Sequence, residues 1–141
     1  MSPIIQKCLA NFQQWQKHRL IRGSFQRLPD ALIFDSVSLT TLWTSKNPPA
    51  ELRRQQIYWS DISEIWVYKK DCFSVDQIRM LLRANHCIIE ISEDVEGWQG
   101  LMDQLHILLP GSTAWAEWFL KTFHPAYASN VTKIYDRNEK R

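Results

Sequence analysis

The chain has 141 residues, 45% hydrophobic and 23% charged, with a formal net charge of +2; such values exclude a disordered, collagen-like or coiled-coil chain and give little support to a nucleic-acid binder. A chain of this length can bury roughly 68% of its unfolded surface, so a single domain with one core is expected. Seven Trp imply large apolar faces that need a packing or binding partner.

Ser2 and Pro3 make a good helix opening, because a serine oxygen can accept an orphan amide and proline fits the first helical position. Ile5, Cys8, Leu9, Phe12 and Trp15 then recur at three- and four-residue steps, which predicts an N-terminal helix over 3–19 within an opening segment 1–22. Pro29 and Asp30 start a turn into a short strand over 31–34, and the β-branched alternation of 37–43 predicts its hairpin partner across Asp35 and Ser36. Lys46, Asn47, Pro48 and Pro49 form a loop, since consecutive prolines supply no amide donors.

Residues 56–59 and 65–68 read as strands flanking Ser60 and Asp61, with Trp59 and Trp66 expected to pack on a later helix carrying Trp98. A second hairpin joins 75–83 to 87–92 through Ala84, Asn85 and His86. In it Ile78, Met80 and Leu82 share one face, and Arg79, Leu81 and Arg83 the other. Asp94 can cap a helix over 95–109 in which Val95, Trp98, Met102, Leu105 and Leu109 keep helical spacing, and Pro110 with Gly111 stops it. A shorter helix over 113–122, anchored by Trp115, Trp118 and Phe119, ends before Pro125. The tail over 123–141 carries Tyr127, Val131, Ile134 and Tyr135, which predicts an extended, docked segment.

Short antiparallel strands followed by an amphipathic helix, together with Ile57-Tyr58-Trp59-Ser60-Asp61-Ile62, resemble a pleckstrin-homology-like domain of the bacterial kind over about residues 31–109. Tyr68 to Asp71, Val75 with Asp76, Gly97 with Trp98 and the stretch 125–135 resemble a group of small bacterial proteins from which no function carries over. The resemblance implies an α+β fold with an antiparallel, strongly bent sheet or partial barrel, serving as a binding scaffold whose ligand it leaves open. The extra helices and tail would cover places where such domains bind peptides or lipids.

Cys8, Cys72 and Cys87 are an odd set with no close pair, neither a disulfide framework nor a zinc pattern. Cys8 and Cys87 sit on apolar registers as small hydrophobes. Cys72, beyond Lys69 and Lys70, is the one reactive-thiol candidate. No metal or cofactor is expected: His86 and Cys87 project to opposite strand faces, and the four glycines form no phosphate loop. Acids at Glu93, Asp94 and Glu96 suit a helix N-terminus. Ile4 and Ile5 near Lys7 give way to Asn11, Gln13 and Gln14, so no signal-peptide core is expected, and no stretch reaches the length of a membrane span; the expected location is the cytoplasm.

Residues 1–29 carry Lys7, Lys17, Arg19, Arg22 and Arg27 with no acid, and residues 90–103 carry Glu90, Glu93, Asp94, Glu96 and Asp103 with no base. The candidate binding residues are Tyr68, Lys69, Lys70, Arg79 and Arg83. The two arginines stand about 13 Å apart along one strand face if both point outward. The competing reading is a solvated face paired with Asp61, Glu64 and Asp76. These features favour a non-enzymatic protein-interaction module: an adaptor, regulator or immunity-type inhibitor. The alternatives are an anionic-lipid or nucleic-acid binder using the same bases, and a thiol-dependent enzyme.

Overall fold

The computed structural model describes residues 27–45, 51–72, 75–85, 87–123 and 130–139. The expected helix over 3–19 lies outside them. The fold is α+β, with two antiparallel sheets and two helices, and the described strands do not close into a barrel.

The first sheet has the order β1 (Ala31–Phe34), β2 (Ser38–Thr44), β3 (Leu52–Tyr58). The β1–β2 turn is made by Asp35, whose Oδ1 accepts the amides of Val37 and Ser38 at 2.8 Å each. A single 3-10 turn, Trp59–Asp61, leads out of β3. The second sheet is built from β4 (Ile62–Cys72), β5 (Val75–Ala84), β6 (Cys87–Ser92) and β7 (Thr132–Asp136), in the order β6-β5-β4-β7. The expected hairpin over 75–92 forms with its faces as the alternation requires. The segment over 132–136 is extended and pairs antiparallel with β4, whose register shifts between Ile65 and Trp66.

Helix α1 (Trp98–Leu108) and helix α2 (Trp115–Phe123) follow the strands. The main core joins Trp98, Leu101, Met102, Leu105 and Trp118 to Ile65, Val67, Ile78, Met80 and Leu82, and extends to Leu39, Ile57 and Trp59 of the first sheet and its exit turn. Trp115 stands edge-on to both Trp98 (6.2 Å) and Trp118 (4.8 Å), which ties the two helices together.

Two expectations are corrected. Trp66 is only 1% exposed but does not join Trp59 and Trp98; it belongs to a second cluster with Tyr68 and Leu81 on the opposite face of the sheet. Side chains alternate along a strand, so a β4 that aims Ile65 and Val67 at the helices must aim Trp66 away from them. Nor does Asp94 cap α1, which begins at Gly97 in a left-handed conformation (φ 97°) without a side-chain cap. Asp94 instead accepts a hydrogen bond from the Gln77 side chain.

The turn before α1 is held against β1, where Leu32 N donates to Glu96 O at 2.9 Å and Glu96 N to Asp30 O at 3.2 Å. A Cβ at position 97 would stand 2.7 Å from Leu32 O, whereas one at Gly100 would meet nothing nearer than the Phe34 ring at 3.8 Å. Gly97→Ala is therefore expected to cost about 2 kcal/mol or more in denaturant unfolding, while Gly100→Ala raises stability by up to about 1 kcal/mol. Equal effects of the two substitutions would contradict this packing.

Candidate functional site

The residues that sequence reasoning singled out lie on the second sheet, and the ladder divides them between its faces. Tyr68 stands directly across from Arg79, Glu64 from Arg83 and Lys70 from Gln77, so Tyr68, Lys70, Arg79 and Arg83 share the face of Trp66 and Leu81. Lys69, paired with Ile78, takes the other face. They do not assemble into one open basic surface. The Tyr68 hydroxyl donates to Glu90 Oε1, and Arg79 Nη1 lies 3.5 Å from Glu90 Oε2, with its side chain 11% exposed. Lys69, its side chain 2% exposed, has Asp76 at 3.6 Å. Arg83 is half exposed and 3.8 Å from Glu64, while Lys70 is exposed.

Glu90 thus neutralises a largely buried guanidinium and accepts a hydrogen bond from a buried phenol, as desolvated polar groups require. On the same face Lys133 Nζ lies 5.5 Å from the centroid of the Trp66 ring and reaches Asp136 (2.8 Å) and Glu139 (3.1 Å). Burial pulls its pKa down, but the two carboxylates outweigh it and the net shift is upward. These groups hold a two-sided sheet together and leave little charge for a ligand. The pairings with Glu64 and Asp76 follow the competing sequence reading; Glu90 as a partner was not foreseen, because only the strand order β6-β5-β4 brings it beside Tyr68 and Arg79.

The open surface is on the first sheet. β3 ends that sheet, five of its seven residues are exposed, and Leu52 and Tyr58 are 50% and 46% exposed. Ile33 and Val37 are also exposed large apolar residues, and the ladder sets Ile33 across from Thr40, and Thr40 across from Gln56. At the far end of β3, Arg53 stands across from Trp43 and Arg54 across from Leu42.

A groove of about 600 Å³ is lined there by Arg27, Trp43, Ser45, Glu51, Arg53, Arg54 and Gln55. One wall is tied down: Trp43 Nε1 donates to Arg27 O at 2.7 Å, Arg27 donates to Asp30 at 3.1 Å and to Thr44 O, and Thr44 N donates to Asp30 Oδ2 at 2.7 Å. Sequence reasoning passed over this site. The polar run Leu52-Arg53-Arg54-Gln55-Gln56 lacks the apolar alternation that marks a strand, so the strand was expected only from residue 56.

Of the cysteines, Cys87 is half-buried on β6 and desolvation pushes its thiol pKa up, away from the thiolate that nucleophilic chemistry needs. No protein-family model, curated protein sequence or solved structure matches the chain.

Glu90→Ala removes the carboxylate shared by Arg79 and Tyr68, leaving Arg79 its hydrogen bond to Gln77, and is expected to cost about 2 kcal/mol or more in denaturant unfolding, against under about 1 kcal/mol for Arg83→Ala; similar costs would contradict the division into buried and exposed pairs. In a Cys8→Ser, Cys72→Ser background, maleimide labelling of Cys87 is expected to run slower than that of an unfolded control at neutral pH. Because its pKa is raised, its rate profile lies at higher pH than the control's; coincident pH profiles would refute the desolvated thiol.

Proposed function

We propose that the chain is a non-enzymatic protein-interaction module, an adaptor, regulator or immunity-type inhibitor on a pleckstrin-homology-like scaffold, and that it takes an extended segment of its partner along β3. The observation that carries this reading is the exposure of the terminal strand β3. A strand at the edge of a sheet offers unpaired amides and carbonyls to an added strand. Side chains displayed beside it, Leu52 and Tyr58 on β3 with Ile33 and Val37 nearby, would supply the specificity that backbone pairing lacks, and exposed Tyr is a common interface anchor.

Two of the other three sheet edges, β1 and β7, support the choice of β3. Glu96 bridges to β1, and Thr113 N donates to Ile134 O of β7 at 2.8 Å. The engagement of Tyr68, Lys69 and Arg79 by Glu90 and Asp76 also argues for docking on the first sheet rather than on the basic residues of the second, with Lys70 and Arg83 left as peripheral contacts.

The reading is tested by selecting binders from a library of short unstructured peptides and mapping amide exchange of the full chain with and without them. Selected peptides are expected to slow exchange within β3, and Leu52→Asp or Tyr58→Asp to weaken them by roughly tenfold or more. Protection confined to the second sheet, or binding indifferent to both substitutions, would refute it.

A further inference from the structure

On the reading of β3 as a docking edge, we propose that the segment it accepts is acidic and that the ladder sets its pattern: two consecutive carboxylate residues opposite Arg54 and Arg53, then an apolar residue opposite Leu52. Charge complementarity carries this inference. Arg27, at the groove, is already matched by Asp30. Arg53 and Arg54 are exposed, with no carboxylate in ion-pair range among the described residues, and Glu51 is the one acid among the described residues lining the groove. Among the described residues, the positive charge that the groove leaves open to a ligand is therefore that of two adjacent guanidiniums on the exposed edge strand.

Adjacent residues on a strand point to opposite faces. Arg53 faces the side of Trp43 and Gln55, and Arg54 the side of Leu42 and Gln56, as their ladder partners require. One acidic side chain cannot serve both, whereas two consecutive acids in an added strand project to the two faces in the same way. Directly opposed cross-strand side chains lie about 5 Å apart, within ion-pair reach, and guanidinium forks match carboxylates in two-point contact.

An antiparallel strand extends the ladder that β2 and β3 already form. In that direction the residue after the acidic pair meets Leu52. The residue four places before the first acid meets Tyr58, because Tyr58 lies four residues beyond Arg54, and an apolar or aromatic side chain suits it. A second copy of this chain fits poorly, since its own β3 would bring two more arginines to the same edge.

Two synthetic peptides with this pattern, one carrying Glu-Glu and the other Lys-Lys at the doublet, are titrated into the full chain at low salt while β3 amide exchange is followed. The acidic peptide is expected to bind about tenfold or more tighter, with the gap narrowing as salt screens the pair. The double substitution Arg53→Glu, Arg54→Glu is expected to reverse the order. Equal affinities with β3 still protected would overturn the acidic pattern and leave strand addition standing; β3 amides unprotected by either peptide would overturn the docking edge itself.

If the charge-reversed chain fails to fold, Arg53→Gln with Arg54→Gln, expected to equalise the two peptides, carries the same test. Self-association of that neutral variant, with no peptide preference in the parent, would overturn the proposal and make the arginines guards against edge-to-edge pairing. Tighter binding of phosphatidylserine vesicles or single-stranded oligothymidine than of the acidic peptide, lost in the same variants, would also overturn it.

Discussion

The fold depends on one strand that is buried on both of its faces. β4 is hydrogen bonded to β5 on one side and β7 on the other, while Ile65 and Val67 meet the helices and Trp66 and Tyr68 meet the second cluster. Over 65–69 that strand has no solvent side, so the polar groups it carries there must be matched by others. The chain meets that demand with Glu90 for Tyr68 and Arg79, Asp76 for Lys69, and Glu64 for the Trp66 indole, which donates at 3.0 Å.

That constraint bears directly on function. Bases that look like an anion-binding stripe in a linear reading are largely consumed in holding a two-faced sheet, because leaving a buried charge unmatched costs several kcal/mol. The three-stranded sheet is under no such demand along β3. Its arginines are exposed without a matching acid among the described residues, so a partner can use them at little cost to folding. The Asp30, Arg27, Trp43 and Thr44 hydrogen bonds fasten one wall of the adjoining groove, and a fixed wall has less entropy to lose on binding.

Much of this was legible in the residues. Period-two alternation located both hairpins, and the spacing from Val95 to Leu109 with Pro110 and Gly111 located α1 and its end, although the helix starts three residues later, at Trp98. What escaped is what linear patterns do not encode. Trp66 was grouped with Trp59 and Trp98 because aromatic residues suggest a shared core, yet its odd step from Ile65 and Val67 sends it to the other face. Asp94 looked like a cap, but the turn at Gly97 is dictated by how closely it approaches Leu32, a tertiary contact. β3 was hidden because its exposed side chains remove the hydrophobic signal that marks a strand.

Among the described residues, no strand pairs with the outer edge of β3. Residue-by-residue amide exchange of the free, full-length chain tests this most directly, because on an edge strand alternate amides point into the ladder and away from it. Alternation is expected along 52–58, every second amide protected and its neighbours exchanging fast, beside protection on both edges of β4 over 64–67, where it pairs with β5 and β7. Uniform protection along β3 would mean that its outer edge is already occupied, and β3 would then not be a docking edge.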